Sequence, residues 1–271
     1  MSDNFVGEVT QSSVSNWELD RIVLELRTAR NEWRRQSGRA QEPGLRELPS
    51  RDALQQIVRD LCGALFPMRL GPQELRQESE DYYVGHTLDA ALTELLRQVQ
   101  LELSYFARVN NTPIEEKSLR LQSSQIIRQF ATTLPALRRA LDVDIQAAYK
   151  GDPAARSLDE VLLCYPGILT IIHHRLAHRL YELEVPLLAR IVAELAHSQT
   201  GIDIHPGAKI GRGFFIDHGT GVVIGETAVI GERVRGHHAF VMRGQPHFLG
   251  FGDEVADGEH QPLVVDHDAA A

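Results

Sequence analysis

The chain has 271 residues and a net charge of −9 with histidine neutral; 43% of its residues are hydrophobic and 24% charged. This is ordinary globular composition, which excludes wholesale disorder, and the length allows one large domain or two smaller ones. The acid excess argues against a general nucleic-acid binder. No apolar run reaches the ~20 residues of a membrane span. The two cysteines, Cys62 and Cys164, are too few for a disulfide scaffold. Residues 1–16 are polar, carry Asp3 and Glu8, and lack the basic and apolar regions of a secretory signal. A soluble cytoplasmic protein is expected, with no nucleic acid and no membrane as partner.

In chain order, residues 1–16 are expected to be disordered and residues 17–200 to form an all-helical N-terminal domain. Trp17 to Trp33 is the first candidate helix, followed by a loop over Ser37–Pro49. Ser50 is a plausible N-cap for a helix through Leu61, and Pro67, Gly71 and Pro72 break the chain again. From Thr87, Leu88, Leu92, Leu95, Leu96, Val99, Leu103 and Phe106 follow helical spacing, a stripe that faces a core. Asn110 to Pro113 ends it. Two further helices are expected with a break at Pro135; the second carries Leu137, Leu141, Ile145 and Ala148 on one face and stops at Gly151-Asp152-Pro153. Asp152 is thereby held at a helix end. Ser157 and Glu160 fit a capping box, and Pro166-Gly167 and Pro186 mark two more helix starts. His174 and His178 share a face of the helix after Gly167. Arg175, Arg179 and the lack of a His-Glu-x-x-His pattern favour structural histidines, with His173, over a metal site.

Residues 201–235 have a six-residue period. Aliphatic residues recur at Ile204, Ile210, Ile216 and Val222; after a two-residue phase shift the period resumes at Ile224 and Ile230, often with glycine next. This marks a hexapeptide parallel β-helix, with about 18 residues to each three-sided coil. The fold class is therefore α + β. Asp203 and His218 lie within the period, 15 residues apart. That spacing puts His218 on the next coil, half a side from Asp203. Coils stack about 4.8 Å apart, so an imidazole could bond to a carboxylate that fixes its tautomer and makes it a general base. Polar corner residues on a solvated face are the alternative.

Asp203-Ile204-His205-Pro206, Ile210-Gly211-Arg212-Gly213, Ile216-Asp217-His218 and Gly225-Glu226-Thr227-Ala228-Val229-Ile230 closely resemble bacterial serine O-acetyltransferases. Asp144-Ile145-Gln146-Ala147, then Asp152-Pro153, resembles the family's last N-terminal helix and its exit, and the likeness covers roughly residues 120–235. It implies a left-handed β-helix and transfer of acetyl from acetyl-CoA, a co-substrate, to the hydroxyl of L-serine in cysteine biosynthesis. It implies His218 as catalytic base, Asp203 as its carboxylate partner, and Asp152 and Asp217 as acids holding the serine ammonium. No metal and no cofactor are implied. The family forms trimers, or dimers of trimers, with sites between subunits. Another hexapeptide acyltransferase, with a sugar or antibiotic acceptor, and a non-catalytic helical assembly protein are the competing readings.

The period stops after Arg235. Residues 236–271 hold five histidines, six acids and a single basic residue, Arg243, and are expected to be an unrelated, disordered tail. The family's further coils, with an Arg-His pair for the serine carboxylate and most of the acetyl-CoA groove, are not recognisable. A reading-frame shift, a natural short variant and a His-rich metal-binding tail are the three explanations. The family's C-terminal Ile, which docks into O-acetylserine sulfhydrylase, is replaced by Ala269-Ala270-Ala271. Residues 204–235 amount to fewer than two coils, short of the about three units a repeat stack needs, so low stability or aggregation is expected, with little or no acetyltransferase activity.

Overall fold

The computed structural model describes residues 17–37, 48–237, 240–242 and 263–265. It divides into two units, residues 1–46 and 47–271. The first contains α1 (Leu19–Gln36), an amphipathic helix with no buried residue.

The second unit is mostly helical, with short parallel strands at its C-terminal end. Its helices are α2 (Arg51–Leu65), α3 (Pro67–Leu70), α4 (Glu80–Val109), α5 (Glu116–Gly151), α6 (Leu158–Cys164), α7 (Pro166–Glu182) and α8 (Pro186–Thr200). Ser50 caps α2 as expected, its hydroxyl accepting the Ala53 N–H at 3.3 Å. Ser157 likewise accepts from Glu160 N at 3.0 Å. The return half of that box is displaced by one residue, since the Glu160 carboxylate accepts from Arg156 N. The stripe on α4 packs inward through Leu95 and Val99, and α4 extends seven residues before Thr87.

Pro135 does not break the chain. It lies inside the continuous 36-residue α5. Proline removes one backbone N–H and crowds the preceding turn. Here the hydroxyls of Thr132 and Thr133 donate to the carbonyls of Gln129 and Phe130 in that turn. Phe130 and Leu134, both ahead of the proline, are buried. Core packing of this face outweighs the local penalty.

The strands are β1 (Asp203–Ile204), β2 (Lys209–Ile210), β3 (Phe215–Asp217), β4 (Val223–Ile224), β5 (Val229–Ile230), β6 (Arg235–His237), β7 (Phe240–Met242) and β8 (Leu263–Val265). β1 pairs with β4, β2 with β5 and β3 with β6, all parallel, with Asp203 opposite Val223, Lys209 opposite Val229 and Phe215 opposite Arg235. Ile204, Ile216, Ile224 and Ile230 are buried between the pairs. Full burial of such a side chain stabilises by roughly 1.5–3 kcal/mol.

These six strands make two layers, and β7 adds to β4 with Val241 opposite Val223. The strands therefore continue past Arg235, where the side-chain period stops. Parallel pairing uses backbone groups, so it does not require the aliphatic–glycine pattern. β7 and β8 fall within the expected tail; most of the rest of residues 236–271 lies outside the described residues, as do residues 1–16.

One buried ion pair ties helices to strands. Arg175 of α7 makes two bonds to Asp144 of α5, Nε to Oδ2 at 2.6 Å and Nη2 to Oδ1 at 2.8 Å. Arg175 also donates to the carbonyls of Ile210 and Gly211. Asp144, fully buried, accepts the N–H groups of Gly213 and Phe214. Gly167 brings α7 against β3 so closely that a Cβ there would lie 2.4 Å from the Ile216 carbonyl oxygen.

A second buried acid, Glu102 of α4, caps α8. The α8 N-cap residue, Val185, has no capping side chain. The two Glu102 oxygens instead accept the N–H groups of Leu187 and Leu188, each at 2.8 Å. Burial pushes the Glu102 carboxyl up from 4.5 to about 7, against the pull of the two donors.

Two outcomes follow for stability. Asp144→Asn leaves the Arg175 guanidinium as an unpaired buried charge, with an expected loss of about 3–5 kcal/mol in denaturant unfolding. For Glu102, the folded state holds the proton more tightly than the unfolded state between 4.5 and about 7. Its stabilising contribution is full below 4.5 and is lost as pH rises through about 7. The gap in unfolding free energy between Glu102→Gln and wild type should therefore move in favour of the variant across that window and then level off.

Candidate active site

Three of the four sequence-predicted residues meet at the end of β3. Asp152 is the residue that ends α5. Its carboxylate accepts the Ala154 N–H at 2.8 Å and the Tyr165 hydroxyl. Tyr165 stands just before Pro166, which starts α7, so the phenol is fixed by a helix start and the carboxylate by a helix end. The Tyr165 hydroxyl, then the Ala154 N–H, holds the Asp152 carboxyl below its ordinary value; Arg235 and His218 act in the same sense. The reciprocal effect of Asp152 pushes the Tyr165 phenol up to about 12.

Asp217 closes β3, and its Oδ2 accepts from Arg235 Nη2 at 3.1 Å, an ion pair between the paired strands β3 and β6. The Arg235 guanidinium carbon lies 5.3 Å from the centre of the Phe215 ring, within cation–π range. Phe215 also faces Tyr165 at 6.5 Å and lies beneath Gly151, where a Cβ would be 2.9 Å from its ring. Phe215 is thus the floor that links the end of α5, the start of α7 and the two strands.

His218 follows Asp217 in left-handed backbone, at φ 56. The Gly221 N–H donates to the Gly201 carbonyl, which anchors this loop. The imidazole is 84% exposed, with Nε2 3.8 Å from Asp217 Oδ1. An exposed imidazole beside two carboxylates can take a proton from a bound hydroxyl, and the carboxylates can hold a cation.

Asp203 is not part of this group. It opens β1, with Arg190 Nη1 3.9 Å away. Among the described residues no hydrogen bond or ion pair joins it to His218. Asp203 pairs with Val223, so His218 lies at the far end of the same layer rather than on the next one. The phase shift makes the repeat two residues longer here than the regular period. Asp203, Glu194 and His197 could place three ligand atoms within 4.8 Å of one another. Arg190, 2.7 Å from Glu194, already sets a positive charge beside both acids.

His173 Nδ1 and His178 Nδ1 bond to the carbonyls of Leu169 and Pro206. Burial, then His178, Arg175 and His205, holds His174 well below its ordinary value. Tyr165 and Arg235 were not singled out from the sequence. The signals were there: Tyr165 precedes Pro166-Gly167, and Arg235 is the last residue of the period.

No family model matches the chain. It is 53% identical over 196 residues to the plasmid serine acetyltransferase of Synechococcus elongatus, covering 72% of this chain and 61% of that protein. It is 51% identical over 127 residues to the serine acetyltransferase of Mycobacterium tuberculosis, covering 47% and 52%. The structure matches native serine acetyltransferase 1 of Entamoeba histolytica with a TM-score of 0.56 and 33% identity, over 77% of this chain and 69% of that one. The same enzyme in complex with L-cysteine matches with a TM-score of 0.56 and 35% identity, over 75% and 68%. The chain belongs to the serine acetyltransferase family. It spans about three fifths of the length of the cyanobacterial serine acetyltransferase. Among the described residues, no helix is long and apolar enough to cross a membrane.

Proposed function

We propose that this chain is a serine O-acetyltransferase that moves acetyl from acetyl-CoA to the hydroxyl of L-serine. The observation that carries this reading is the convergence of Asp152, Asp217 and His218 at the end of β3, in a chain of this family. His218 is the base: its neutral imidazole takes the serine hydroxyl proton as that oxygen attacks the thioester carbonyl carbon. The C–S bond then breaks, and the imidazolium returns the proton to the departing CoA sulfur. Asp152 and Asp217 hold the serine ammonium. Arg235 offsets one of their two charges, so the ammonium brings the group to neutrality. Acetyl-CoA is a co-substrate, and no step needs a metal or a bound cofactor.

The strands are proposed to form a left-handed parallel β-helix, with α2 to α8 as its helical cap. Three observations support it: strands of two or three residues, parallel pairs 20 and then 18 residues apart, and buried aliphatic residues six apart. Among the described residues of one chain no hydrogen bond or ion pair joins Asp203 to His218. We assign that pairing to a subunit interface, in a trimer whose sites lie between subunits.

Thiol release from acetyl-CoA on addition of L-serine tests the reading. His218→Ala should cost about 10²–10⁴ in kcat/KM. Thiol release with a sugar or antibiotic acceptor, and none with L-serine, would overturn the acceptor assignment. Tyr165→Phe should raise KM for serine about fivefold while leaving kcat nearly unchanged, because the phenol acts on ammonium binding through Asp152 and not on the reacting atoms.

A further inference from the structure

Helix α1 has a feature that acetyl transfer does not use. Leu19, Ile22, Leu26, Ala29 and Trp33 recur at alternating spacings of three and four, the a and d positions of a heptad. Leu19, Ile22 and Leu26 are 62%, 40% and 53% exposed, and no residue of the helix is buried. An 18-residue helix is marginal in water by itself, and such helices draw most of their stability from packing of the apolar face.

The charges beside the stripe are ordered. Glu18, Glu25 and Glu32 take the g positions, and Arg30 takes an e position. In a parallel coiled coil a g residue meets the e residue five places on in the neighbouring helix, which sets Glu25 against Arg30 of the next copy. In an antiparallel pair the g rows face each other, and three glutamates would meet three glutamates. The charges therefore select the parallel arrangement. Leu at a with Ile at d, as at Leu19 and Ile22, favours three or four strands over two.

We propose that α1 associates with the α1 helices of other copies of this chain as a parallel, in-register coiled coil of three or four strands. Its seam is Leu19, Ile22, Leu26, Ala29 and Trp33, locked by Glu25–Arg30 pairs between copies. The association is independent of the chemistry at His218.

Cysteine cross-linking of the full chain tests it, in a Cys164→Ser background that removes the exposed native thiol; Cys62 is buried. Ile22→Cys and Ala29→Cys should each form disulfides between identical positions under mild oxidation. Thr28→Cys, at an outward c position, should not. An antiparallel pair cannot link both Ile22→Cys and Ala29→Cys to themselves, so that result would overturn the orientation. Failure of both, or equal cross-linking at Thr28→Cys, would overturn the seam. Glu25→Arg in the Ile22→Cys protein should slow cross-linking several-fold, and adding Arg30→Glu should restore it. Loss without restoration would overturn the charge pairing. All the substituted helix positions lie on a helix with no buried residue, and far-UV circular dichroism of the same samples reports whether the rest of the chain is folded.

Discussion

The Asp144–Arg175 pair is the contact on which the rest of the structure depends. Removing two charges from water costs several kcal/mol each, and the cost is repaid only when every donor and acceptor finds a partner. Here the guanidinium satisfies a carboxylate and two strand-region carbonyls, and the carboxylate accepts two further N–H groups. The network holds α5, α7 and the loop between β2 and β3 in one geometry. No single apolar contact could do so, because hydrophobic contacts are non-directional.

The candidate site inherits that geometry. Asp152 sits eight residues beyond Asp144 on the same helix, and Tyr165 sits ten residues before Arg175 at the start of α7. Fixing the two helices against the strands therefore fixes where a helix end and a helix start meet β3. Phe215 fills the space between them. Tyr165 and Arg235 then give each carboxylate a partner. Glu102 shows the same economy at α8, where a side chain from a distant helix supplies the cap that the local sequence lacks.

Much of this was legible in the residues. Helix starts at Ser50, Ser157, Pro166 and Pro186 were marked by capping chemistry that acts within three or four residues. The strand region was marked by aliphatic residues six apart, and Asp152, Asp217 and His218 were marked by motif. Pro135 misled because its penalty is local and the packing of Phe130 and Leu134 that overrides it is not. Fifteen residues fall short of a full turn, whether the turn holds about 18 residues or the 20 that the pairing of Asp203 with Val223 sets, so His218 belongs to the layer of Asp203.

The sequence by itself determined the helical and strand regions, the family and the residue types available for chemistry, because these rest on local periodicity and short motifs. Only the tertiary structure decided that Tyr165 and Arg235 partner the two carboxylates, that Glu102 caps α8, that strands continue past Arg235, and that Asp203 stands apart from His218 within one chain. Those are contacts between segments as many as 86 residues apart, as with Glu102 and Leu188. Their specificity comes from directional hydrogen bonds whose partners no local pattern names.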